Sequence, residues 1–220
     1  MNKLKETNAN VHILWTGGWD STYRMVELSR TSYTIQPIYV YGDGRISEKN
    51  EIKAMEKILN KLKKHSKTTA EFLPVKYINK SDIVDNNTIT EAYETILKKC
   101  KIGSQHEWLA RLAYECPGLE IGTEKAPLEV SNILKAINLN GRLIKNDVGE
   151  GYVLDTKNAT NEGRLIFGNL IFPIVDKTGK EMRENIEKWG YEDIMRNVWG
   201  CHKPFFNEPW GFCHPCEVKS

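Results

Sequence analysis

Residues 15–22 read Trp-Thr-Gly-Gly-Trp-Asp-Ser-Thr. They follow an apolar run, residues 12–15, and precede a helix-like stretch from Ser21 onward. This order, strand then glycine turn then helix start, can hold a phosphate chain. Gly17 and Gly18 let backbone approach a ligand with no Cβ in the way. The new helix presents unpaired N–H groups and the positive end of its dipole. Thr16, Ser21 and Thr22 add hydroxyls. Asp20 fits beside phosphates in one of two roles, helping to hold Mg²⁺ or capping the helix.

A second chemical cluster stands near the C-terminus, where Cys201 is followed by Cys213 and Cys216 in Phe-Cys-His-Pro-Cys. A Cys-x-x-Cys pair with a third cysteine upstream has the spacing of a zinc site. Structural zinc wants four ligands. The neighbouring His202 and His214 carry nitrogen, but a residue directly beside a ligand tends to point the wrong way. Free thiols, one pair of them catalytic, are the alternative. Cys116 falls on an apolar helix face and reads as core. Cys100 follows two lysines and reads as a partly exposed structural thiol.

The elements that must position these groups alternate. Residues 35–41 and 72–78 read as strands, and residues 48–64 as a helix with Ile52, Met55, Ile58, Leu59 and Leu62 on one face. Residues 105–116 form a second helix, stopped by Pro117-Gly118. Short strands are expected at 119–122 and 170–175, and a helix at 180–189. This βαβα order predicts an α/β fold, a mostly parallel sheet with helices on both faces and a small Cys-rich C-terminal segment. Ligands of such sheets bind at the carboxyl ends of the strands, where the glycine turn falls. Residues 138–168 break the pattern. A hairpin or lid over the site is one reading, and a plain surface excursion is the favoured one.

A length of 220 residues suits one domain spanning 1–220. The formal net charge of +2 gives no argument for a nucleic-acid or membrane surface. The polar first ten residues predict no signal peptide, and no apolar run is long enough to cross a bilayer. Five cysteines, three of them clustered, point to metal or redox chemistry rather than a disulfide scaffold, and a cytoplasmic location is expected.

The string at 16–22 resembles the PP-loop, Ser-Gly-Gly-x-Asp-Ser-Ser/Thr, of the ATP pyrophosphatases. Thr16 replaces the leading serine and keeps its hydroxyl, while Gly17, Gly18, Asp20, Ser21 and Thr22 match. No Gly-Lys-Ser/Thr follows, so it is not a Walker-type loop. Within that superfamily most of the chain resembles the 7-cyano-7-deazaguanine synthases. Tyr41-Gly42 with Arg45 looks like their Tyr-Gly-Gln-Arg run near the nucleotide. Trp199-Gly200-Cys201, Cys213 and Cys216 look like their zinc-binding tail, expected here over residues 199–216. Three places depart from the family. Trp210 stands where a further zinc cysteine is expected. Residues 103–107, Gly-Ser-Gln-His-Glu, replace an Arg-Asn run. A lysine ahead of the last helix falls on Gly179, with Lys177 and Lys180 nearby.

The resemblance implies an adenine nucleotide alpha-hydrolase-like fold and cleavage of ATP between its α- and β-phosphates. An acceptor oxygen attacks the α-phosphorus, and ammonia then displaces AMP. It also implies ATP, Mg²⁺ and Zn²⁺ as cofactors, a deazapurine acid or similar molecule as acceptor, and pairing into a homodimer. Thr16, Gly17, Gly18, Asp20, Ser21 and Thr22 would hold the phosphates, Val40 and Tyr41 would border the adenine, and Cys201, Cys213 and Cys216 would hold zinc. Lys180 is a candidate phosphate-facing cation, with a solvated surface lysine as the alternative. His106 and Glu107 are candidate bases, with a capping or solvated helix start as the alternative. Two other functions fit these residues: a nucleotide-binding module without turnover, built into a larger assembly, and a tRNA sulfur-transfer enzyme using Cys213 and Cys216.

Overall fold

The computed structural model describes residues 8–201. Cys213 and Cys216, with His202, Trp210 and His214, lie outside the described residues. The elements run β1 (Val11–Leu14), α1 (Trp19–Ser29), β2 (Thr34–Tyr41), α2 (Glu48–Lys64), β3 (Glu71–Phe72), β4 (Lys76–Asn79), α3 (Asn87–Lys99), α4 (Gln105–Glu115), β5 (Leu119–Glu120), α5 (Asn132–Asn140), β6 (Leu143–Lys145), β7 (Tyr152–Leu154), α6 (Asn161–Phe167), β8 (Leu170–Ile171), α7 (Gly179–Trp189) and α8 (Glu192–Met195).

The central sheet has six strands in the order β3-β2-β1-β5-β8, with β4 also on β2, and every pairing in it is parallel. The strand expected over 72–78 is two strands. Pro74 has no N–H to give the ladder, and its carbonyl instead accepts from Gln36 Nε2 at 2.7 Å.

Alternation along the strands sorts the apolar side chains onto two faces. On β2, Ile35 and Tyr39 join a core with Met25 and Val26 of α1, Met55 and Ile58 of α2, and Met182 and Ile186 of α7. Ile38 and Val40 point the other way, into a core with Ile89 of α3, Leu109 of α4, Ile137 of α5 and Phe167 of α6. Helices therefore cover both faces, and the protein is α/β with a parallel central sheet. The chain leaves β1 through α1 to β2 on one side and later returns to β5 on β1's other side. That reversal opens a crevice at the strand ends.

Residues 138–168 are not an excursion. β6 and β7 pair antiparallel, and Tyr152 bridges to Phe172 beside β8. α6 then buries Ile166 and Phe167 against α3 and α4. Gly163 lets the start of α6 close on the end of α5, because a Cβ there would lie 2.7 Å from the Asn140 carbonyl oxygen. Among the described residues, no helix is long and apolar enough to cross a membrane.

Candidate functional site

The glycine turn sits at the carboxyl end of β1. Gly17 adopts φ +70°, and a Cβ there would press on Met55 and the Glu51 carbonyl of α2. Gly18 is the N-cap of α1, with no side chain capping the helix. Asp20 is inside the first turn and does not cap it, so of its two expected roles the capping one is not realised. The first N–H groups of α1 and its positive dipole end thus meet the crevice.

That crevice is a cleft of about 1320 Å³, lined by Thr16, Gly18, Trp19, Asp20 and Ser21 on the β1 side. Ile121, Gly122, Thr123, Glu124 and Lys125 line it on the β5 side. Gly122 has to be glycine here. A Cβ on it would lie 2.7 Å from the Ser21 backbone nitrogen, so only a bare backbone lets the end of β5 close on the start of α1. Arg24 and Glu120 hold the same two elements together. Arg24 Nε and Nη2 donate to the Glu120 carboxylate at 2.8 and 2.9 Å, with both side chains buried.

The close approach brings two carboxylates near each other. Burial pushes the Asp20 carboxyl up to about 7, and the neighbouring Glu124 charge adds to the rise. A pair that repels in this way favours a divalent cation between or beside its oxygens. Mg²⁺ in such sites uses one or two carboxylates and completes its shell with phosphate oxygens and water. Asp20 and Glu124 fit that requirement.

The far wall comes from α7 and α8, with Gly179, Lys180, Arg183, Glu187, Glu192 and Arg196 on the cleft. Lys180 is there, at the start of α7, its side chain mostly in solvent and 3.9 Å from Glu184. The segment after α8 crosses the glycine turn. The Trp199 amide donates to the Gly17 carbonyl at 2.8 Å, and Trp199 Nε1 donates to the Cys201 carbonyl at 2.8 Å. Trp199, Gly200 and Cys201 all line the cleft, with Cys201 2% exposed. Cys201 thus lies beside the glycine turn. Among the described residues no three His, Cys, Asp or Glu side chains gather as a metal site, and the other two expected zinc ligands fall outside those residues.

The remaining candidates divide. His106 lines the cleft from α4, is 7% exposed, and is held neutral by burial, which pulls its imidazole down to about 4. Its Nδ1 has no hydrogen-bond partner among the described residues. Glu107, next along α4, is committed elsewhere. It accepts from Thr90 at 2.8 Å and from Arg111 Nη2 at 3.0 Å, tying α4 to α3. Thr22 is fully buried, and its Oγ1 accepts from Trp15 Nε1 at 3.0 Å. Val40 is in the core with its carbonyl taken by Arg45 Nη2 at 3.0 Å, while the Tyr41 side chain is exposed. Neither of these last two lines the cleft.

Gly122, Glu124 and Arg183 are the site residues that sequence reasoning did not find. The 119–122 strand was legible, but a glycine at a strand end carries no sign of the helix it must face. No family model matches the chain, and a search of curated proteins finds no relative.

Proposed function

We propose that this chain is an ATP-dependent adenylating enzyme of the PP-loop type, with a Rossmann-like, adenine nucleotide alpha-hydrolase-like fold. It would activate a carboxylate or amide for attack by ammonia, as the resemblance to 7-cyano-7-deazaguanine synthases implies. The observation that carries the reading is the placement of the Thr16–Gly18–Asp20–Ser21 turn. It lines a large cleft at the one point where the parallel sheet reverses its strand order.

The chemistry asked of the protein is placement and neutralisation of charge. The uncapped start of α1 and the hydroxyls of Thr16 and Ser21 offer donors to the β- and γ-phosphates. Asp20 and Glu124 would hold Mg²⁺, which offsets phosphate charge when bound. The α4 and α5 side of the cleft, with Leu109, Pro127 and Ile133 beside Gln105 and neutral His106, suits a largely apolar acceptor with hydrogen-bonding edges. The acceptor oxygen attacks the α-phosphorus and pyrophosphate leaves. Ammonia attacks through its own lone pair, so the site needs no strong base, in keeping with an imidazole held at about 4.

The test is product analysis by mass spectrometry with ATP, Mg²⁺, an ammonium salt and 7-carboxy-7-deazaguanine. AMP, pyrophosphate and an amide or nitrile product are expected. ADP and inorganic phosphate as the only nucleotide products would contradict the reading.

A further inference from the structure

Gly179 opens α7 at the cleft wall and has no side chain to put there. The space it leaves is not empty. A Cβ built on Gly179 would lie 2.9 Å from Glu124 Oε2, 3.9 Å from Arg183 Nη1 and 4.0 Å from Arg183 Nη2. Arg183 is one helical turn further on, so its side chain folds back along the helix face toward the N-terminus. Its guanidinium therefore stands over the start of α7, next to the carboxylate that acts on Asp20 of the phosphate turn.

Among the described residues Arg183 is also uncommitted. Lys177 pairs with Glu27 and Asp176, and Lys180 with Glu184. Arg183 makes no ion pair or hydrogen bond with any described residue. A guanidinium with no partner among the described residues, its planar fork of donors at the wall of a cleft, is suited to phosphate oxygens.

We infer that Arg183 is a phosphate-binding residue of this cleft, its guanidinium reaching back from the second turn of α7 to stand beside the bare Gly179 at the start of the helix. It contacts the β- and γ-phosphates of ATP, and the pyrophosphate that leaves, from the side opposite α1. This rests on the nucleotide reading of the cleft. It makes Lys180, which is paired with Glu184, the lesser contributor.

The experiment is titration calorimetry of the full chain with Mg²⁺ and a non-hydrolysable ATP analogue, and separately with Mg²⁺ and pyrophosphate. The proteins compared are wild type, Arg183→Ala, Lys180→Ala and the double variant Gly179→Lys/Arg183→Ala. Arg183→Ala is expected to weaken both ligands by about 10-fold or more, the scale of a charge-assisted contact to phosphate. Lys180→Ala should weaken them by less than about threefold. The double variant, with a cation returned to the same space from the first turn, should recover most of the loss. Melting temperatures should match between wild type, Arg183→Ala and Lys180→Ala, because both side chains are exposed. Wild-type affinity in Arg183→Ala would overturn the inference while leaving the nucleotide reading intact. Failure of the wild-type chain to bind either ligand would overturn both.

Discussion

Trp15 Nε1 donates to Thr22 Oγ1 inside the core, so the last hydroxyl of the loop string serves the fold. Thr22→Val would leave a buried indole N–H without an acceptor. It should cost about 1–3 kcal/mol in denaturant titrations while MgATP affinity stays unchanged. A nucleotide-contacting Thr22 would give the opposite pattern. Asp20 makes a prediction of a different kind. Its carboxyl is raised in the folded chain to about 7, against an ordinary value of 3.8. The folded state thus holds a proton that the unfolded state has lost between those values. This contribution to stability is full below about pH 4 and disappears as pH rises through about 7. Melting temperature should fall over that range in the wild type and fall less in Asp20→Asn. Mg²⁺ should restore it most above pH 7, where the Asp20 carboxyl is ionised. A metal response equal at pH 5 and pH 8 would argue against a cation held by Asp20 and Glu124.

Among the elements, α1 and β5 are the pair that shapes the site. Arg24 and Glu120 join them in the buried interior, and Glu27 and Glu150 share the same guanidinium. Arg24→Met strands the Glu120 carboxylate and should destabilise by about 3–5 kcal/mol. Adding Glu120→Gln should return part of that in the same denaturation measurement. α2 and α4 were legible from apolar residues at helical spacing, β2 from a continuous run of β-branched and aromatic residues, and β1 from the apolar run before the glycine turn. α3 was passed over although Ile89, Ala92, Tyr93 and Ile96 carry the helical spacing and Asn86 caps it through Ile89 N–H. Its threonines weigh against a helix locally, and packing on α6 and α4 decides the matter. α6 had less to show. It is short, has Gly163 inside it, and is held by the Thr160 cap and its buried end. The hairpin of β6 and β7 lines a separate recess with Arg24, Glu27 and Lys177. None of residues 138–168 lines the large cleft, so the lid expected as one reading does not cover it.

At the scale of the molecule, the cleft is assembled from the turn after β1, the loop after β5, the start of α4, the face of α7 and the strap at 199–201. Only the first of these announces its chemistry locally, through the run of small and hydroxyl residues at 16–22. The others matter through contacts between distant segments: Gly122 against Ser21, Arg183 beside Gly179 and Glu124, and Trp199 on the Gly17 carbonyl. No spacing rule within one segment reveals such contacts, which is why the glycine turn was readable and the opposing wall of the cleft was not. The central claim is that an acceptor oxygen attacks the α-phosphorus in this cleft. The most direct measurement is turnover with acceptor carboxylate labelled with ¹⁸O, followed by mass spectrometry of the nucleotide and phosphate products. The account predicts ¹⁸O in AMP and none in pyrophosphate. Label appearing in inorganic phosphate, with ADP as the nucleotide product, would contradict it.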